Sequence, residues 1–204
     1  MGELIVRREG PVGTILFSNV ARHNAMSYAM WHAFPERLHE LDADPSIRVI
    51  VLTGDGRQAF VSGADISQYE RNFATPEDTA RTMETINRGR AALRDMAKPI
   101  LAMIRGYCLG GGLGVALLCD MGIASEDSRF GIPATRLGIA YSYASSRLLC
   151  DRIGVANARE IQLFTDSSIL RVSSSSTLSG DSTKITSAPE PYWARASSLA
   201  LAGL

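Results

Sequence analysis

The sequence predicts an α/β domain in which helices cover the sheets. Three observations predict it. Short runs rich in β-branched and aliphatic residues alternate with segments of helical period, and Gly and Pro punctuate the junctions. A chain of 204 residues that is 46% hydrophobic can also bury a sizeable core as one domain.

The elements follow in order. Residues 4–8 and 12–18 read as strands, and Glu9-Gly10-Pro11 between them reads as the turn of a hairpin. Ser27 can cap a helix over 28–42, where Met30, Phe34, Leu38 and Leu41 share a face and Pro35 should bend the axis. Residues 47–53 are nearly continuous in aliphatic side chains, the pattern of a strand buried on both faces. Thr75-Pro76-Glu77-Asp78 combines a cap, an early proline and acids at the positive dipole end, so a helix should run from there to about residue 96. Residues 99–105 and 121–124 read as strands, 115–118 as a short buried helix, and 144–153 and 155–164 as helices.

Charge and composition exclude several functions. Lys plus Arg and Asp plus Glu each number 21, so the chain lacks the basic surface that nucleic acid or anionic lipid requires. No apolar run approaches the roughly 20 residues that cross a bilayer. The N-terminus lacks the basic, apolar and small-residue order of a signal peptide, and Gly2 lacks the later Ser or Thr of a myristoylation signal. Cys108, Cys119 and Cys150 show no CxxC pairing and read as buried thiols in a reducing compartment. No cluster has metal-ligand spacing, and His32 and His39 are placed as surface or interhelical groups. The expectation is a soluble cytoplasmic protein with no metal, no nucleic-acid partner and no membrane span.

Composition changes near residue 165. Ser and Thr number 17 in residues 1–164 but 15 in the last 40, with no helical period, so 165–204 reads as an atypical, disordered tail behind a core of residues 1–164.

Two glycine-bearing segments suggest chemistry. One runs from Val51-Leu52-Thr53-Gly54 through Phe60 to Gly63-Ala64-Asp65-Ile66, and the other from Gly106 to Gly114. Each follows a buried strand and leads into a helix, where backbone N–H groups are unpaired and the dipole is positive. Neither fits the glycine patterns of nucleotide-phosphate loops. Two such N–H donors could converge on one oxygen as an oxyanion hole. From spacing alone, tight turns and close helix packing explain the glycines equally well.

These segments, taken with Ala21-Arg22-His23-Asn24-Ala25-Met26-Ser27, Lys98-Pro99-Ile100, Gly110-Gly111-Gly112 and Cys119-Asp120, resemble the enoyl-CoA hydratase/isomerase (crotonase) family over roughly residues 3–164. The resemblance implies a spiral of ββα units, assembled as trimers or dimers of trimers. It implies an acyl-CoA thioester as substrate, with coenzyme A as part of the substrate and no separate cofactor. It places the N–H groups of Ala64 and Gly111 on the thioester oxygen, with Gly63 and Gly110 shaping the two turns. Ala21, Arg22 and Ala25 fall where the family's loop touches coenzyme A, His23 lies in that loop, and Asp65 and Ile66 line the same channel.

The chain departs from the family at the acid–base groups. The family's first glutamate falls at Gly114, and its second, after Phe130-Gly131-Ile132-Pro133, falls at Ala134. Paired carboxylates move the protons of a hydration, so that chemistry does not transfer directly. Thr135, Arg136, Tyr141 and Ser142 are the polar residues that follow. Tyr141 resembles a tyrosine of some acyl-CoA decarboxylases in the family, and it equally suits packing at a helix start. The family's helices after about residue 164, which complete the acyl pocket and the trimer contact, have no counterpart in the tail. Three functions follow: enoyl-CoA hydratase/isomerase-like chemistry through an enolate, decarboxylation of a malonyl-type thioester assisted by Tyr141, or an inactive, truncated homologue that only binds coenzyme A.

Overall fold

The computed structural model describes residues 2–135, 138–163 and 170–171. The hairpin forms as expected: β1 (Glu3–Glu9) and β2 (Val12–Ser18) pair antiparallel, with Glu3 opposite Ser18 and Glu9 opposite Val12. Helix α1 (Tyr28–Ala43) starts where Ser27 Oγ accepts the Met30 N–H at 3.2 Å. Its anticipated face is buried, with Trp31 added, and Pro35 lies within it. The chain continues through β3 (Val49–Gly54), β4 (Ala59–Val61), α2 (Tyr69–Asn72), α3 (Pro76–Arg94), β5 (Ile100–Ile104), β6 (Tyr107–Leu109) and α4 (Gly111–Ala116). Then follow β7 (Met121–Ala124), β8 (Arg129–Gly131), α5 (Tyr143–Ile153), α6 (Val155–Leu163) and β9 (Leu170–Arg171).

The strands form two sheets. The larger has the order β1-β2-β3-β5-β7 and the smaller β4-β6-β8-β9. The pairs β2–β3, β3–β5 and β5–β7 are parallel, as are β4–β6 and β6–β8. After the β1–β2 hairpin and α1, each unit places one strand in the large sheet, the next in the small sheet, and then a helix. That repeat is the ββα spiral implied by the resemblance. Strands β4, β6 and β8 escape the sequence patterning because each spans only three residues, too few to show a period.

Two further expectations change. The run at β3 is buried mainly on one face: Ile50 and Leu52 are fully buried, while Val49 and Val51 are half-buried. On the neighbouring strands Met103, Met121 and Ile123 are exposed, so helices leave part of this sheet open. The helix after β6 begins at Gly111, not at residue 115, because the glycines themselves take helical geometry. The tail expected over 165–204, and Phe164, lie outside the described residues except at β9, which pairs antiparallel with β8. Arg136 also lies outside them.

The core joins both sheets to α1. Phe17 on β2 meets Phe60 on β4 edge-on, with ring centroids 5.5 Å apart, and Phe34 on α1 at 5.7 Å. All three are fully buried. Each such side chain contributes about 1.5–3 kcal/mol by leaving water, and together they fix β4 against β2.

Candidate active site

Parallel pairing of β4 with β6 brings both glycine turns to one edge of the small sheet. Gly63 leaves β4 with φ +115°, and Gly110 leaves β6 with φ +50°. Both values lie in the region that favours glycine. The Cα of Gly63 stands 3.9 Å from the point a Cβ on Gly110 would occupy, so the turns are adjacent. Gly111 opens α4, and a Cβ there would meet nothing within 4 Å. Among the described residues, neither the Ala64 N–H nor the Gly111 N–H makes a backbone hydrogen bond. Helix α4 can sit this close to β4 only because position 112 lacks a side chain: a Cβ there would fall 2.2 Å from the Val61 carbonyl oxygen.

The loop before α1 is stapled to the β4 turn. The Met26 N–H donates to the Gly63 carbonyl at 2.8 Å, and the Asp65 N–H donates to the Met26 carbonyl at 3.0 Å. Asn24 anchors this loop from beneath, donating through Nδ2 to the Asp55 and Ala59 carbonyls at 2.9 and 2.8 Å. It is buried, and its φ of +58° suits asparagine. Its positioning role was foreshadowed only by its place within the 21–27 motif.

The residues expected around coenzyme A differ in their surroundings. Ala21 and Arg22 are exposed, whereas Ala25 is buried and its carbonyl accepts from Asn19 Nδ2. Arg22 pairs with Asp65 at 2.7 Å and also bonds Ser67. Burial works to raise the Asp65 carboxyl, but the Ser67 hydroxyl and the Arg22 guanidinium outweigh it and hold the group below its ordinary value. Asp65 also caps the following turn through the Ser67 N–H at 3.1 Å. Ile66 is exposed beside it. His23 is exposed, with its ring against Tyr107.

A cavity of about 290 Å³ is lined by Arg90, Gly114 and Tyr141, among others. A Cβ at Gly114 would lie 3.5 Å from Arg90 Nη2 and 3.8 Å from Tyr141 Oη. The first expected carboxylate position is therefore occupied by an arginine and a phenol. Ala134 follows Pro133, whose Cδ lies 3.9 Å from the same Cβ point on Gly110. Burial pushes the Tyr141 phenol up, against the pull of Arg90, so at neutral pH it remains a hydrogen-bond donor. Burial pushes Arg90 down; Tyr141 opposes the shift and Arg94 reinforces it. Thr135 is exposed, and the Ser142 hydroxyl caps α5. Cys108 and Cys119 are buried, which pushes both thiols up and leaves them unreactive. Sequence reasoning missed Arg90, although it flanks the buried stripe Thr82, Thr85, Gly89 and Leu93 on α3.

Among the described residues, no helix is long and apolar enough to cross a membrane. The enoyl-CoA hydratase/isomerase family model matches residues 7–169. The chain is 34% identical over 168 residues to the 2,3-dehydroadipyl-CoA hydratase of Escherichia coli, covering 82% of this chain and 64% of that protein. It is 30% identical to the short-chain-enoyl-CoA hydratase of Clostridium acetobutylicum, covering 83% and 64%. Among solved structures, an enoyl-CoA hydratase/carnithine racemase from Magnetospirillum magneticum superposes with a TM-score of 0.77 at 29% identity, covering 82% of this chain and 62% of that one. The chain thus spans just under two thirds of the length of these relatives. With matching motifs, ββα topology and sequence similarity in hand, the chain belongs to the enoyl-CoA hydratase/isomerase, or crotonase, family.

Proposed function

We propose that this chain acts on an acyl-CoA thioester and holds the enolate oxygen between the N–H groups of Ala64 and Gly111. The observation that carries this is the parallel β4–β6 pairing, which puts both turns at one sheet edge with Gly63 against Gly110. Each donor stabilises charge on the oxygen by on the order of 3 kcal/mol. Relatives named as a 2,3-dehydroadipyl-CoA hydratase and a short-chain-enoyl-CoA hydratase support the substrate class. Ala21, Arg22, Ala25, Asp65 and Ile66 form the coenzyme A side of the channel, and Arg22 is oriented by Asp65. The chemistry is hydratase/isomerase-like, with Gly114 and Ala134 in place of the carboxylates.

A second reading, decarboxylation of a malonyl-type thioester, is favoured by Tyr141 facing Gly114. There the bond from Cα to the carboxylate breaks and its electron pair moves into the thioester enolate. Carbon dioxide leaves, and Cα then takes a proton. No strong base is needed, and a protonated phenol can orient the carboxylate or supply the proton.

Assembly as a trimer or dimer of trimers in the cytoplasm accompanies both readings. The test is a panel of acyl-CoA thioesters followed by mass spectrometry, with light scattering on the same sample. Turnover of any member supports the proposal. Binding without turnover marks a coenzyme A-binding homologue, and no binding overturns the proposal.

A further inference from the structure

The cavity beside Gly114 carries an unusual charge balance. Asn87, Arg90 and Arg94 face it from successive turns of α3, at i, i+3 and i+7. Tyr141 and Ser142 line it as well. Two cations thus line the cavity, and among the described residues lining it there is no Asp or Glu. Arg90 and Arg94 stand at i and i+4, where like charges repel and destabilise a helix. Among the described residues Arg90 makes no ion pair, although it is half-buried. A part-desolvated guanidinium needs an anion with matching acceptors, and a carboxylate satisfies it in fork geometry. The space is there because position 114 has no side chain: Arg90 Nη2 lies 3.5 Å from where a Cβ would stand.

We infer that this cavity recognises a carboxylate on the acyl group, so that the substrate is a dicarboxylic acid mono-thioester held by Arg90 and Arg94, with Tyr141 as an additional donor. The inference rests on the acyl-CoA proposal and narrows it to one substrate class. It does not by itself fix the reaction: in hydration or isomerisation the bound carboxylate is the far end of the acyl group, whereas in decarboxylation it is the group that leaves. An uncharged short acyl chain would leave both guanidinium groups facing an unfilled polar cavity.

The test uses the full chain and two series of ligands: malonyl-, succinyl-, glutaryl- and adipyl-CoA, and saturated uncharged acyl-CoA thioesters of matched length. Dissociation constants are measured by calorimetry at low and high salt. At least one carboxylated member should bind about tenfold or more tighter than its uncharged partner, as expected for a hydrogen-bonded charge pair. Arg90→Met should weaken the carboxylated series severalfold more than the uncharged series, with Arg94 and Tyr141 sustaining the remaining preference, while Arg90→Lys should restore part of the loss. Equal affinity across both series in the unsubstituted protein overturns the inference and leaves the acyl-CoA proposal standing. Failure of both series to bind overturns the two together. Circular dichroism checks that each variant is folded. If Arg90→Met does not fold, the unsubstituted protein's preference, and its weakening by salt, still decide the matter.

Discussion

Replacing Gly111 by proline isolates the proposed oxyanion donor. Residue 111 is the first of α4, where proline is well tolerated because its missing N–H has no intrahelical partner. A Cβ at this position would touch nothing within 4 Å, so that atom of the ring is unopposed. Relative to glycine, proline also restricts the unfolded chain, which favours folding by about 0.4–1 kcal/mol where the backbone is compatible. The substitution therefore removes the N–H and sets the ring Cδ in its place, at little expected cost to the fold. Losing a donor worth about 3 kcal/mol in the transition state lowers kcat about a hundredfold. Gly111→Ala keeps the N–H and should stay within about threefold of the unsubstituted enzyme, since it adds only an unopposed methyl. Steady-state turnover of the best thioester in the panel and thermal unfolding are measured on all three proteins. A proline variant that melts at or above the starting temperature yet keeps full kcat would refute the assignment of Gly111.

Three further outcomes are expected. Gly112→Ala would press a Cβ to 2.2 Å from the Val61 carbonyl oxygen and 2.7 Å from the Val61 Cβ, so chemical denaturation should show a loss of about 1–3 kcal/mol or more. Tyr141→Phe should lower carbon dioxide release from a malonyl-type thioester about a hundredfold and also raise KM, since the phenol helps hold the carboxylate; an unchanged rate would remove Tyr141 from the mechanism. Asp65 has a depressed carboxyl pKa in the fold, so its stabilisation is full above the ordinary value of 3.8 and is lost as pH falls through the lower folded value. The stability advantage over Asp65→Asn should accordingly be steady near neutral pH and vanish in acid, as followed by thermal melts across that range.

The sequence showed those parts of the molecule that repeat a period or carry a cap. Helix α1 is legible because Ser27 and the 30-34-38-41 stripe each act locally, and α3 because Thr75 and Pro76 set its start. The small sheet is not legible, since three-residue strands owe their existence to neighbours far along the chain. Its strand β4 is held by Phe60 against Phe17, a contact between residues 43 positions apart that no local pattern encodes. The site divides the same way. Gly63, Ala64, Gly110 and Gly111 stand out through their motifs. The ion pair of Arg22 with Asp65 and the approach of Arg90 to Gly114 depend on the tertiary path and stay hidden.

That division has a chemical consequence. The proposed oxyanion hole is made of main-chain N–H groups, so almost any side chain at Ala64 leaves the donor in place. The constraint falls on the neighbours that shape the backbone: Gly63 and Gly110 by their positive φ, and Gly112 by its approach to Val61. Acid–base chemistry instead resides wholly in side chains, and on the proposed reading positions 114 and 134 can lack a carboxylate without disturbing the sheet. Enolate stabilisation and the choice of proton carrier are therefore separable on this scaffold. On the proposed reading, glycine at position 114 does more than omit an acid. It leaves an arginine and a protonated phenol facing the cavity, turning a place suited to taking protons from a neutral chain into one suited to holding an anion.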